Sequence, residues 1–160
     1  MIETTRMPSQ TDRIEKQIVL DAPRARVWRA ITDVREFNAW FGANLTSPFT
    51  AGGMVSGRIT IPGYDHLTLT AWVETIEPER RFAFRWHPSA TDPNADYSNE
   101  PTTLVTFTLD EVPGGTRLTI VESGFDAIPE SRRMQAFTGN TKGWEGQIKN
   151  IEKHLARSSS

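Results

Sequence analysis

The sequence predicts a single α+β domain in which a curved antiparallel sheet of about six strands wraps around a long C-terminal helix. Three observations lead to this architecture. First, a short strand is followed directly by two compact helices within residues 14–41. Second, residues 49–122 show strand-like alternation interrupted by turn residues. Third, a long run of apolar residues at helical spacing follows. At 160 residues the chain has the length of one ordinary domain. A sheet wrapped around one helix would leave an internal cavity between them.

The amino-terminal part is predicted to form one strand and two short helices. Residues 13–20 alternate between apolar and polar side chains, which is typical of a half-buried strand. Pro23 suits the first position of a helix, since its missing N–H would be unpaired there. The apolar face of this helix repeats at helical spacing: Val27, Ala30, Ile31 and Val34. Asp33 and Glu36 resemble a capping box that starts a second helix, and Gly42 would end it.

The middle of the chain is predicted to form the remaining strands of an antiparallel meander. Turn residues bound these strand segments: 54–61, 67–77, 82–86, 102–109 and 116–122. The apolar alternation slips within the second segment, so we expect a bulge near Glu74 and Thr75. A long polar loop, Pro88 to Pro101, lies between the third and fourth segments. It is either a lid or binding segment over a cavity, or a simple surface insertion.

The C-terminal part is predicted as a short helical stretch, an interruption at Gly139 and a main helix over residues 141–156. The main helix has one apolar stripe: Trp144, Ile148, Ile151 and Leu155. Gly143 is interpreted as the residue that prevents crowding where this stripe packs on the sheet. The predicted organisation is a flexible segment, a folded domain and a disordered tail, at residues 1–12, 13–157 and 158–160.

Composition and charge exclude several classes of function. Lysine and arginine number 18 against 20 aspartate and glutamate, and no basic run marks a nucleic-acid surface. The chain has no cysteine, which excludes disulfides, thiol catalysis and cysteine metal sites. Three scattered histidines indicate no metal site, and no Gly-rich loop that opens a helix indicates a cofactor. Since no apolar run suits a signal peptide or a membrane span, we expect a cytoplasmic protein.

An ordered set of short segments resembles the START-like superfamily, and within it the family of the activator of the heat-shock-protein-90 ATPase. The segments are Ala22-Pro23, Val27-Trp28, Ile31-Thr32, Trp40-Phe41, Gly52-Gly53, Glu77-Pro78, Phe84-Arg85-Trp86, Thr116-Arg117-Leu118-Thr119, Glu122-Ser123-Gly124-Phe125 and Gly143-Trp144. The resemblance implies a helix-grip fold, in which the sheet grips the long helix and leaves a cavity. It implies no single reaction, because members bind lipids, hormones or polyketides and some regulate a chaperone.

Six residues are predicted to line this cavity: Trp40, Phe84, Trp86, Phe107, Glu122 and Trp144. The five aromatic side chains either line an apolar pocket or pack the core. Glu122 continues the face of Leu118 and Ile120, so it points inward unless the strand twists to expose it. A buried acid must be paired by donors or uncharged. If Glu122 is buried without a partner, the substitution Glu122→Gln should stabilise the fold near neutral pH.

The leading functional hypothesis is binding of a small apolar or aromatic molecule, without catalysis, between the sheet and the C-terminal helix. The second is an enzyme of cyclase or hydratase type acting on a polyketide-like substrate, in which Glu122 or a loop acid moves protons. The third is an interaction protein that contacts a chaperone and modulates its ATPase, which the single-domain length makes less favoured. A buried, unpaired Glu122 would favour the enzyme, and a filled core with an exposed apolar patch would favour the interaction protein.

Overall fold

Seven strands, three α-helices and one 3₁₀ turn make up the computed structural model, which describes residues 12–92 and 94–158. The strands are β1 (Arg13–Leu20), β2 (Ala43–Leu45), β3 (Met54–Ile59), β4 (Thr68–Glu77), β5 (Arg81–Trp86), β6 (Thr103–Val112) and β7 (Gly115–Ser123). The helices are α1 (Arg24–Thr32), α2 (Val34–Phe41) and α3 (Glu130–Ser158), and the 3₁₀ turn is Phe125–Ala127. Apart from Asp12, the predicted flexible segment 1–12 lies outside the described residues, as do residues 159 and 160 of the predicted tail.

All seven strands form one antiparallel sheet in the order β1-β7-β6-β5-β4-β3-β2, which confirms the predicted fold class. The predicted bulge is also confirmed, because the register between β4 and β5 shifts between Val73 and Thr75. The sequence prediction omitted β2, since three residues are too few to show an alternating pattern. A side chain of α2 holds this strand: the Asn38 amide donates to the Leu45 carbonyl at 3.1 Å and accepts from the Leu45 N–H at 2.9 Å.

The two short helices follow β1, as the sequence predicts, and precede β2. Asp33 caps α2, because its carboxylate accepts from the N–H groups of Arg35 and Glu36 at 2.9 and 3.3 Å. Gly42 ends α2 with φ of 91°, a left-handed conformation that glycine adopts without steric penalty. Pro23 is the N-cap of α1 rather than its first helical residue, so that prediction is wrong by one position.

The C-terminal helix is one continuous element, and the predicted interruption at Gly139 is wrong. A glycine inside a helix costs only about 1 kcal/mol relative to alanine, and packing of the apolar face outweighs that cost. The buried residues of this face are Ala136, Trp144, Ile151 and Leu155. The interpretation of Gly143 is also wrong, since a Cβ built there meets no atom within 4 Å. None of the described helices, α3 included, combines the length and apolarity needed to cross a lipid bilayer.

The core lies between the inner face of the sheet and the three helices. Its fully buried aromatic side chains come from both layers: Phe37, Phe82, Phe84, Phe107 and Phe125. The helix α3 runs across this layer, with the Trp144 ring next to β7 and the Gln147 amide donating to the Phe41 carbonyl at 2.9 Å. The helix α3 therefore contacts both the sheet and the end of α2. The candidate site lies beneath this helix.

Candidate functional site

Glu122 is the most unusual residue of the core, because its carboxylate is wholly buried. It lies on β7 in phase with the buried residues Leu118 and Ile120, so the predicted inward orientation is confirmed. β7 has a neighbouring strand on both sides, β1 and β6, and its side chains cannot turn around a sheet edge. The sheet therefore holds an acid within the apolar layer beneath α3.

Four side chains surround this carboxylate and donate hydrogen bonds to it. At the end of β5, Trp86 Nε1 donates to Oε2 at 2.8 Å, and at the start of β6, Thr103 Oγ1 donates to the same oxygen at 2.6 Å. From α3, Trp144 Nε1 donates to Oε1 at 2.8 Å, and Asn140 Nδ2 lies 3.0 Å from each oxygen. Because Asn140 and Trp144 are four residues apart, one face of the helix presents both.

The hydrogen-bond partners of Glu122 are three N–H donors and one hydroxyl, and two carboxyl oxygens can accept from all of them. A carboxylate offers about four lone-pair directions, and the five contacts occupy them. Charge-assisted hydrogen bonds of this kind offset the cost of burying a charge. Glu122 is therefore buried and paired, so the condition under which Glu122→Gln would stabilise the fold, an acid without a partner, is not met.

The six residues predicted to line a ligand cavity lie together in space. The Trp86 and Trp144 rings stack with centroids 5.8 Å apart, and the Phe107 ring meets Trp144 edge-on at the same distance. The Phe84 ring lies 5.3 Å from Trp86, and the Trp40 ring lies 6.4 Å from Phe107. We call these five rings the aromatic cluster, and Glu122 joins it through the two stacked indoles.

Sequence reasoning missed two residues of this arrangement, Thr103 and Asn140. Thr103 is the first residue of β6, and the sequence does not show that it pairs with Trp86 across β5 and β6, next to the buried acid. The spacing of Asn140, four residues before Trp144, was a usable signal, because it places an amide on the same helical face as a buried indole. The predicted interruption at Gly139 concealed that signal.

A cavity of about 370 Å³ lies beside the aromatic cluster, between the end of α2, the turn after β3 and the last turns of α3. One side of it is apolar and includes Trp40, Phe41, Ile61 and Pro62. The other side is polar and consists of Asn150, Lys153, His154 and Arg157. Of the six predicted residues, Trp40 lines this cavity and the other five do not. The Phe41 ring links the cavity to the cluster, since it lies 6.0 Å from the Trp86 ring.

Glu36 of α2 joins the three helices next to this cavity. Its carboxylate forms ion pairs with Arg26 at 2.8 Å and Arg29 at 3.0 Å, and it lies 2.9 Å from His154 Nε2. Burial alone would raise the pKa of Glu36, but the hydrogen bonds with His154 and Arg26 outweigh burial and hold the pKa below its usual value of 4.5. The imidazole of His154, which lines the cavity, is thus held in place by an acid.

The long loop between β5 and β6 is fastened to α3 by Arg132. The guanidinium contacts several residues of the loop: Pro88, Ser89, Tyr97 and Glu100. The ion pair with Glu100 has a distance of 2.8 Å, and a second cavity of about 300 Å³ lies beside it. Ser89 Oγ also donates to Asn140 Oδ1 at 2.9 Å. The loop is therefore connected to the partners of Glu122 through one hydrogen bond.

The family model described as Activator of Hsp90 ATPase homolog 1-like protein matches residues 21–156. The chain belongs to this family. The match runs from the residues before α1 almost to the end of α3, and it confirms the START-like resemblance. The Activator of Hsp90 ATPase homolog 1-like fold suits a ligand-binding role, because it places a cavity next to the long helix. No curated protein matches the sequence.

Several solved structures share the fold of this Activator of Hsp90 ATPase homolog 1-like chain. A crystal structure of a protein from Mesorhizobium loti is 26% identical with a TM-score of 0.72, and the match covers 91% of this chain and 97% of that chain. A solution structure of a protein from Arthrobacter aurescens is 25% identical with a TM-score of 0.72, covering 92% and 88%. DynU16, from the dynemicin biosynthetic locus, is 26% identical with a TM-score of 0.69, covering 91% of this chain and 47% of that chain.

Proposed function

We propose that this protein binds a small apolar or aromatic molecule in the 370 Å³ cavity between α2, the turn after β3 and α3. The observation that carries the proposal is a wall of two aromatic side chains, Trp40 and Phe41, facing a polar wall on α3. Cavities of about 300 to 1,000 Å³ with apolar linings and a few polar groups are typical of small-molecule sites. The volume and the lining of this cavity both match that description.

The aromatic wall is held in place before any ligand binds. The Trp40 indole donates to the Ala30 carbonyl at 2.9 Å, and the Phe41 ring stacks on Phe37 at 5.0 Å. Both side chains are nearly buried, with 4% and 7% of their surface exposed. A preorganised wall lowers the entropy lost on binding, because its side chains need no further ordering.

The remaining predicted residues form the support behind this wall. Phe84, Trp86, Phe107 and Trp144 pack on one another, and we assign Glu122 a positioning role, since it fixes the indoles of Trp86 and Trp144. A catalytic acid needs a lone pair or a proton directed at the substrate. The Glu122 oxygens are occupied by donors of the protein itself, which disfavours the cyclase or hydratase alternative.

The comparisons bear on the class of ligand. DynU16 comes from a biosynthetic locus, and the similarity to it, over 47% of that chain, supports a small organic molecule as the ligand of the present chain. The chaperone alternative is supported by the family description alone. Ligand binding is therefore the function that has support from both the cavity and the comparisons.

The test is a titration with N-phenyl-1-naphthylamine, a neutral dye that becomes fluorescent in apolar sites. The variant Ala39→Trp adds an indole at an exposed position that lines the cavity, and Ala127→Trp adds the same ring at an exposed position outside it. We expect saturable binding to the wild type and to Ala127→Trp, and about tenfold weaker binding to Ala39→Trp. Near-ultraviolet circular dichroism verifies native packing. Absence of saturable binding to the natively packed wild type, or equal binding to Ala39→Trp, would refute the proposal.

A further inference from the structure

We propose that the ligand of this cavity is a small organic acid, bound with its carboxylate against α3 and its apolar body against α2. This inference rests on the proposed function and adds the charge and orientation of the ligand to it. The juxtaposition that carries it is a cationic side facing an aromatic side across one small cavity.

The positive charge of the cavity is local. Lys153 and Arg157 are one helical turn apart and both line it, and none of its described lining residues is acidic. The chain as a whole has a formal charge of −2, so this concentration of positive charge does not follow from the overall composition. A cavity wall that carries two cationic side chains attracts anions.

Lys153 is the cation best placed to bind an anion. Its side chain is exposed, and it forms no ion pair with any other residue in the described part of the chain. Its neighbour His154 is already held by Glu36 at 2.9 Å. Arginines elsewhere on α1 and β5, such as Arg29 and Arg85, have carboxylate partners. The Lys153 ammonium is therefore available to a carboxylate that enters the cavity.

The opposite side excludes a purely inorganic anion as the intended occupant. This side is apolar, and Ile61 and Pro62 expose surface there that gains free energy when an apolar group covers it. An ammonium–carboxylate contact is also stronger next to such surfaces than in open water, because the local dielectric constant is lower. The two sides together select an amphipathic acid, with an aromatic or aliphatic body and one carboxylate.

The experiment compares 2-naphthoate with 2-naphthamide, which share the ring and differ in charge, by calorimetric titration of the 160-residue chain. The variants are Lys153→Met, the combination of Lys153→Met with Arg157→Met, and Lys142→Met. Lys142 is exposed, lies on the same helix and does not line the cavity, so its substitution controls for net charge. Titrations at low and high salt measure the electrostatic share of binding.

We expect naphthoate to bind the wild type and Lys142→Met about tenfold more tightly than naphthamide at low salt. Lys153→Met should weaken the binding of naphthoate by about threefold to tenfold and leave the binding of naphthamide unchanged. Equal affinities for acid and amide, or an acid preference that survives the combined variant, overturn the inference and leave the proposed function standing. If neither compound binds and N-phenyl-1-naphthylamine does not bind either, the proposed function itself fails.

Discussion

The Glu122 side chain on β7 accepts hydrogen bonds from three other elements, β5, β6 and α3. Desolvating an acid is costly, and the donors from β5, β6 and α3 offset that cost only as a complete set, because a missing partner leaves a charge partly unsatisfied. None of the four donor residues is itself ionised. The carboxyl group is therefore held by neutral side chains, and the arrangement depends on their geometry rather than on a second ion.

The substitution Glu122→Gln should destabilise the protein by about 2 to 4 kcal/mol at pH 7. The new amide NH₂ replaces an acceptor with a donor and would face the donors of Trp86, Thr103 or Trp144. Urea unfolding measures the loss. Glu111→Gln is the matched control, since Glu111 is exposed at the end of β6, and its cost should stay within about 0.5 kcal/mol. A gain of stability in Glu122→Gln would contradict the donor assignment.

Trp144 contributes both volume and a donor, and two substitutions separate these contributions. Trp144→Ala should cost about 3 to 5 kcal/mol through the cavity it leaves. Trp144→Phe keeps most of the volume but removes the N–H to Glu122, and it should cost about 1 to 2 kcal/mol. Denaturant unfolding gives both values, with Trp72→Phe as the control on an exposed indole. A loss below about 1 kcal/mol in Trp144→Ala would mean that α3 does not dock through this side chain.

At the scale of elements, α3 keeps its helical form despite exposed glycines at positions 139, 143 and 146. We expect Gly143→Ala to stabilise the protein by about 0.5 to 1 kcal/mol, because alanine favours the helix and its methyl group meets no other atom within 4 Å. The gain from Gly139→Ala should be smaller, since a Cβ there lies 3.2 Å from Ser89 Oγ. Thermal unfolding compares the two variants. Destabilisation by Gly143→Ala would reveal a close contact at this position.

The junction of α1, α2 and α3 at Glu36 makes a pH-dependent contribution to stability. Glu36 faces the guanidinium groups of Arg26 and Arg29 and the imidazole of His154. Burial alone would raise the pKa of Glu36, but the hydrogen bonds with His154 and Arg26 hold it below 4.5. A lowered folded-state pKa stabilises the protein above the unfolded value, and this contribution disappears as the pH falls through the folded value. Glu36→Gln should therefore cost about 1 to 2 kcal/mol at pH 7 and progressively less below about pH 4.5.

Urea unfolding of Glu36→Gln and wild type between pH 7 and pH 3 measures this difference. Glu152→Gln provides the control, because Glu152 is an exposed acid on α3 and has no ion pair within the described residues. A destabilisation of Glu36→Gln that stays constant across the pH range would show that the carboxylate charge is not the source of the effect.

At the scale of the whole molecule, the cavity exists only when α2, the turn after β3 and α3 are assembled, so a ligand should stabilise the native state alone. At about 100 times its measured Kd, 2-naphthoate should add about 2.7 kcal/mol to the free energy of unfolding. The urea midpoint should rise while the slope of the transition stays constant. The variant Ala39→Trp should show little of this increase, and an equal increase in that variant would place the ligand elsewhere.

The sequence predicted the parts of the fold that depend on local pattern. The alternation of apolar and polar residues predicted the strands. The phase of Leu118 and Ile120 predicted that the side chain of Glu122 points inward, and Asp33 predicted the start of α2. It failed where a contact between elements decides the outcome. β2 depends on the Asn38 side chain, and the continuity of α3 depends on packing that outweighs glycine.

The candidate site was predictable in its members but not in its shape. Five aromatic residues and Glu122 were expected together, because the strand and helix spacing was combined with the resemblance to the helix-grip fold. Whether aromatic rings fill the core or line a cavity depends on their orientations in three dimensions. The spacing of the residues in the sequence does not predict those orientations. The cavity therefore lies to one side of the cluster, and its polar wall includes Lys153, which the helical pattern marks only as an exposed position.

The stacking of Trp86 and Trp144 has an optical consequence. The two ring planes are inclined by 25° with centroids 5.8 Å apart, so the electronic transitions of the indoles are coupled. One chromophore belongs to the sheet and the other to the long helix, so we expect an exciton couplet in circular dichroism only while the two elements touch. The molecule thus contains its own label-free reporter. Stopped-flow recording of that couplet follows the release of the helix separately from the loss of the sheet.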